Sequence, residues 1–268
     1  IWAKDFDNNN SVDPVTFVYF KNDKGQVESV PAHYWDDLYG QSPLFRRKFS
    51  GYKHYTRATQ DNFFTAEELE GATQFTGNFD RTSYIENLGD GKFQIHKLPL
   101  LAQTAPVNGM VVTDINQDGF LDMLMVGNDY GNEVFSGRYD AFNGLVLLGD
   151  GSGKWKELRA SESGFLVPGD AKSMALLHLK NGAEIYLSSQ NRGELLAHQP
   201  QSRSSKTLKI PAGIHTLLLE MENGKKQRIE VFNRSGYLSN SGSFISLEAH
   251  VRKVEGIDYK GKTTQLNF

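Results

Sequence analysis

Two short stretches concentrate oxygen-bearing side chains at alternate positions: Asp5-Phe6-Asp7-Asn8-Asn9-Asn10-Ser11-Val12-Asp13 and Asp114-Ile115-Asn116-Gln117-Asp118-Gly119-Phe120-Leu121-Asp122. The first, third, fifth and ninth positions are Asp5, Asp7, Asn9 and Asp13 in one, and Asp114, Asn116, Asp118 and Asp122 in the other. The seventh residues, Ser11 and Phe120, would add a backbone carbonyl. Calcium is a hard cation that takes six to eight oxygen ligands at roughly 2.3–2.6 Å, and a short loop meets that demand by alternating its donors and closing on a later carboxylate. Three carboxylates crowded into one loop without a cation would repel one another. The expected cofactor is therefore calcium. Gly119 supplies the left-handed bend in the second loop, and Asn10, the next most tolerant residue type, stands at that place in the first. Neither loop is an EF-hand, because the twelfth positions are Thr16 and Met125 where a bidentate glutamate would be needed.

A second polar constellation follows the second loop: Asn128, Asp129, Glu133, Arg138, Tyr139 and Asp140. As a ligand site it would use Arg138 for a carboxylate or sugar hydroxyl, Tyr139 for stacking, and Glu133 or Asp140 as acceptors, with Asn128 beside them. The competing reading is structural, with Arg138 paired to a carboxylate so that a long loop keeps its shape. A glycosidase or lyase working through Glu133 and Asp140 is the enzyme alternative, and it requires the two carboxyls to face each other roughly 5–9.5 Å apart. Other chemistries lack their residues. The seven histidines contain no His-x-x-x-His pair, and no Gly-x-Ser-x-Gly elbow occurs. Gly149-Asp150-Gly151-Ser152-Gly153 lacks the Lys-Ser/Thr ending of a phosphate loop and reads as a β-turn.

The elements that must position these residues are strands. The chain has 268 residues, 38% hydrophobic and 23% charged, which is ordinary globular composition. Its 26 glycines and 12% aromatic content suit short, aromatic-rich strands joined by many turns. The formal net charge is −3 and the strongest basic cluster is Arg46-Arg47-Lys48, too short for a nucleic-acid footprint. No apolar run is long enough for a transmembrane segment. Cysteine is absent, so neither disulfides nor thiolate metal sites are available, and a bound cation would be an alternative staple. The chain opens on Ile1-Trp2-Ala3-Lys4, which reads as a strand within a longer protein.

Internal similarity organises the rest. Apolar runs flank both acidic loops, with Val111-Val112 before the second and Met123-Leu124-Met125-Val126 after it. A glycine-rich turn before an aromatic occurs as Leu88-Gly89-Asp90-Gly91-Lys92-Phe93 and again from Leu148 to Trp155, a spacing of 60 between positions 88 and 148. A decayed third acidic loop is expected at Leu177 to Gly182, keeping an Asn181-Gly182 turn without carboxylates. A repeat of about 60 residues holding four short strands has the size of a propeller blade. The stretch from about 34 to 75 departs from it: Leu38, Leu44, Phe45 and Phe49 recur at helical spacing, and Thr65-Ala66-Glu67-Glu68 is a helix-start signal. It is expected to be a helical insertion. After Gln199 a polar linker, residues 200–205, leads to a strand, an Asn223-Gly224 turn and further strands, so 200–268 is a separate β module or a closing element for the propeller.

On these residues the chain resembles the FG-GAP/VCBS repeat family, and more narrowly its bacterial branch with ASPIC/UnbV-like tails. The acidic loops with a following apolar strand and the Asn87 to Phe93 turn carry the resemblance, joined by Gly127-Asn128 to Glu133, Gly137 to Ala141 and Ser235 to Ser239. It spans nearly the whole chain. It implies an all-β fold of propeller blades over 1–199, calcium in blade loops, an extracellular, cell-surface or periplasmic location, and binding of a protein or glycan ligand. Complete propellers of this kind have about seven blades, and this chain offers about three, so the expectation is a partial propeller, with either more blades upstream of Ile1 or an atypical closure.

Overall fold

The computed structural model describes residues 1–134, 136–179, 183–201, 206–232, 236, 239–247 and 250–268. Asn181 and Gly182, the linker residues 202–205 and residues 233–235 therefore lie outside the described residues. Among the described residues strand accounts for 43% and helix for 13%, which makes the protein all-β in class. It packs as two units, Ile1–Asp80 and Arg81–Phe268.

The first unit contains the helical stretch. Strands Trp2–Lys4, Asp13–Val15 and Thr73–Gln74 form one antiparallel sheet, and Phe17–Lys21 pairs with Val27–Pro31. Five short helices lie between Trp35 and Leu69. Their starts follow the sequence signals. Pro43 opens one helix while the Ser42 hydroxyl accepts the Leu44 N–H, and Thr65 with Glu68 makes a reciprocal capping box on another. Such short helices are not stable alone. They are held by burial of Leu38, Phe45, Ala58, Phe63 and Phe64 around Val15.

In the second unit, Val107–Thr113, Asp122–Gly127, Leu145–Gly149 and Trp155–Leu158 form a four-stranded antiparallel meander in which neighbours in sequence are neighbours in space. The run Met123 to Val126 is buried throughout because both of its faces are covered. Leu124 and Val126 enter one core with Met174, Leu176 and Tyr186 from the next sheet. Met123 and Met125 enter another with Leu98, Ala102 and Phe142. The next sheet comprises Ala171–His178, Glu184–Gln190 and Leu196–His198, and it approaches so closely that a Cβ on Gly109 would lie 2.8 Å from the Met174 nitrogen. Glycine at 109 is what allows the two backbones to meet.

Residues from 206 onward form a four-stranded sheet ordered Lys226–Glu230, Ile214–Met221, Val251–Asp258, Thr263–Leu266, with the pair Lys206–Lys209 and Phe244–Leu247 beside it. Their interior is a cluster of their own, centred on Leu217, Leu247 and Val254. Buried Glu184 is satisfied by the Ser246 hydroxyl, by the Tyr186 hydroxyl at 3.2 Å and by His178 Nε2 at 3.3 Å. This joins the three-stranded sheet to that region. No helix among the described residues is long and apolar enough to cross a membrane.

The two-sided burial of the central meander strand is open to a simple test. Leu124→Ala should lower the unfolding free energy by about 2–5 kcal/mol in urea denaturation. Ile85→Ala, at a position 63% exposed, should change it by less than about 0.5 kcal/mol.

Candidate metal centres and the polar loop

Both acidic loops are hairpin connections between antiparallel strands. The residue before each loop pairs with its ninth position, Lys4 with Asp13 and Thr113 with Asp122. The backbone turns left-handed at the fourth and sixth positions of both, Asn8 and Asn10 in one and Gln117 and Gly119 in the other. That winding aims loop N–H groups inward, and five hydrogen bonds recur position by position. Asp5 accepts from the Asn9 and Asn10 N–H groups at 3.0 and 2.7 Å, and Asp114 accepts from Asp118 and Gly119 at 3.2 and 3.1 Å. Asp7 accepts from Asn9, and Asn116 from Asp118. Asn9 accepts from Ser11, and Asp118 from Phe120. The ninth carboxylates close each loop, with Phe6 N–H donating to Asp13 at 3.1 Å and Ile115 N–H to Asp122 at 2.8 Å.

Those donors at the second position also anchor the loops. The Phe6 ring stacks on Phe64 at 4.4 Å and meets Phe45 edge-on, while Ile115 packs against the core that holds Leu124 and Val126. Sequence reasoning about oxygen ligands passed over these apolar residues, although an apolar second position common to both loops was the available signal. It also missed buried Ser42, whose hydroxyl donates to Asp7 Oδ2 at 2.7 Å, and Gly149, whose N–H donates to Asp122 Oδ1 at 2.9 Å. A Cβ at Gly149 would lie 2.3 Å from the Leu121 carbonyl oxygen, so the glycine of the glycine-rich turn is what lets that turn dock on the acidic loop.

Asp13 and Asp122 are 1% and 0% exposed. Burial pushes both carboxyls above the usual carboxylate range, aided by the charges of Asp7 and Asp118 respectively, and only partly offset by the N–H groups donated to them. Oxygens of Asp5, Asp7 and Asp13 lie within 4.8 Å of one another, the one group of three or more acidic, His or Cys donors gathered this way among the described residues. Two oxygens on opposite sides of a cation 2.3–2.6 Å away would stand about 5 Å apart, so this all-oxygen set fits a hard divalent cation. The carboxylates of the second loop are not gathered to that spacing, and there the Asn116 amide donates to Asp118 Oδ2 at 2.8 Å.

The polar constellation divides. Asn128 is fully buried with a left-handed backbone. Its amide donates to the Phe142 and Gly169 carbonyls at 2.8 and 2.9 Å and accepts the Phe142 N–H at 2.9 Å. Tyr139 forms an isolated β-bridge with Asp129, Arg138 lies over the Tyr130 ring at 4.9 Å, and Glu133 accepts the Ser136 N–H at 3.2 Å. Asp140 is exposed. Asn128 thus pins the loop from inside, while Glu133, Arg138, Tyr139 and Asp140 lie on its outer side.

No family model matches the chain, and a search of curated proteins finds no match.

Two measurements probe these local assignments. Asn128→Ala, which strands several buried backbone groups, should cost more than about 2 kcal/mol in chemical denaturation, whereas Arg138→Ala should cost under about 1 kcal/mol. The folded state holds the Asp122 proton more tightly than the unfolded state does, so without a cation this residue destabilises increasingly as pH rises above the ordinary 3.8. In EDTA, the melting temperature of wild type minus that of Asp122→Asn should therefore fall between pH 4 and 7. A difference independent of pH would contradict the raised carboxyl.

Proposed function

We propose that this protein is a calcium-binding β-repeat segment of the FG-GAP/VCBS type, working outside the cytoplasm, whose cation-braced loops support a surface that binds a protein or glycan ligand. One observation carries the reading. Loops 109 positions apart, at Asp5 and Asp114, wind alike and share five hydrogen bonds in the same register, although only the first and ninth aspartates are identical between them. A generic turn would not need three carboxylates in order to reproduce that winding, and it would have no reason to bury the ninth one.

The blade reading draws support from the four-stranded antiparallel meander, whose first connection carries the acidic loop and whose last carries the glycine-rich turn. Extracellular calcium modules bind at about 0.1–1 mM, so such loops fill outside a cell and stay mostly empty inside one. Location and cofactor therefore belong to the same proposal.

Thermal unfolding tests it. About 10 mM calcium would exceed such a dissociation constant roughly 10- to 100-fold, stabilising the fold by about 1.4–2.7 kcal/mol per site. The expected rise in melting temperature over EDTA is about 3–10 °C for each occupied site. Asp5→Ala/Asp7→Ala and Asp114→Ala/Asp118→Ala should each remove part of the rise, and together nearly all of it. No shift in the wild type would reduce both loops to turns.

A further inference from the structure

The region from residue 206 onward and the sheet of Ala171–His178, Glu184–Gln190 and Leu196–His198 have separate interiors, since their buried apolar clusters share no residue. Polar groups join the two. The Leu176 N–H donates to Ser241 Oγ at 3.1 Å, and the Ser246 hydroxyl donates to Glu184 Oε1. His178 Nε2 lies 3.0 Å from that hydroxyl oxygen and 3.3 Å from Glu184 Oε1, with the Phe244 ring 5.8 Å from the imidazole. His178 and Glu184 are cross-strand partners at the turn end of their hairpin, and their side chains are 2% and 0% exposed.

Ser246, His178 and Glu184 are the residue types of a hydrolytic triad, but they are not arranged as one. The base of a triad stands between nucleophile and carboxylate and uses one ring nitrogen for each. Here both partners face Nε2 and also bond each other, with the imidazole and the carboxylate sealed from solvent. What this geometry governs is charge. Because the Ser246 hydroxyl donates to Glu184, its oxygen accepts from His178, and Nε2 carries a proton. Tyr186 donates to the other carboxylate oxygen at 3.2 Å. Burial, and then the charges of Asp122 and Asp114, push its hydroxyl above the usual tyrosine range, so it stays a donor. From the region beyond residue 206, the described groups facing the pair, Ser246 and Phe244, are uncharged, and Lys180 and Glu248 lie outside the described residues. The charge of the cluster therefore turns on the second imidazole proton. With it, an imidazolium faces a carboxylate; without it, a carboxylate is buried alone, and an uncompensated buried charge is the costlier of the two.

We propose that His178 and Glu184 form an imidazolium–carboxylate pair that makes this joint a proton-operated clasp, shut at mildly acidic pH and loosening as pH rises. When the joint opens, both groups regain ordinary behaviour, histidine titrating at about pH 6.5 and glutamate at about pH 4.3. Above about pH 6.5 the shut joint binds more protons than the open one, so rising pH favours opening, by up to about tenfold per pH unit for one proton. Below about pH 4.3 the open joint binds more, and the clasp weakens again. It holds best in the mildly acidic range between.

Two NMR measurements on the whole chain test it. The first follows the His178 ring through a pH titration, its signal assigned by comparison with His178→Gln. The ring should stay imidazolium past the pH at which an exposed histidine loses its proton. The second follows hydrogen exchange of the Leu176 N–H, which donates across the joint, corrected for the chemical exchange rate at each pH. Its protection should fall by up to about tenfold per unit between about pH 6.5 and 8, while that of the Asp122–Gly127 amides stays level. Glu184→Gln keeps the hydrogen-bonding groups and removes the charge, so it should flatten the pH dependence and let His178 titrate lower. A ring already neutral at about pH 6, protection that is level or rises with pH, or an undiminished pH dependence in Glu184→Gln would overturn the proposal. If Glu184→Gln does not fold, the two wild-type measurements decide the matter by themselves.

Discussion

The second acidic loop depends on one buried carboxylate. Asp122 has no exposed surface, and its two oxygens accept N–H groups from different segments, Ile115 within its own loop and Gly149 from the glycine-rich turn. A buried, desolvated carboxylate is costly unless its hydrogen bonds are met. The positions of those two donors are therefore constrained together, and with them the relation of the first and last hairpins of the meander. Asp13 repeats half of this arrangement through Phe6, with Ser42 bracing the neighbouring Asp7. The raised carboxyls of Asp13 and Asp122 express the same cost from the side of charge.

The hydrophobic architecture keeps those loops in place. Phe6 and Ile115 each couple a backbone donor in the loop to an apolar anchor in the core, so the loop geometry inherits the rigidity of packed side chains. In the meander, period-two alternation delivers Leu124 and Val126 to one core and Met123 and Met125 to another. A sheet covered on both faces is the condition for stacking further sheets against it, and Gly109 marks where the next one comes closest.

The polar residues after the meander show how similar chemistry serves different ends. Asn128 spends its amide on carbonyls and an N–H of the surrounding chain, whereas Arg138 and its exposed neighbours hold the surface of that loop. Residues drawn from three turns, unremarkable one by one in the sequence, instead converge on one cleft.

Much of the local structure was legible in the residues. The alternation of Asp and Asn marks both loops, Thr65 to Glu68 marks a helix start, and the Asn223-Gly224 turn joins Ile214–Met221 to Lys226–Glu230. Each is a matter of short-range sterics and hydrogen bonding, which neighbouring residues determine among themselves. The anchoring of Phe6 on Phe64, the docking of Gly149 on Asp122, the internal role of Asn128 and the convergence of Tyr84, Phe120 and Lys225 were decided only by tertiary structure. These contacts join residues far apart in the chain. Whether a polar side chain meets solvent, a backbone carbonyl or a cation depends on what the remaining chain packs against it, and no local pattern carries that information.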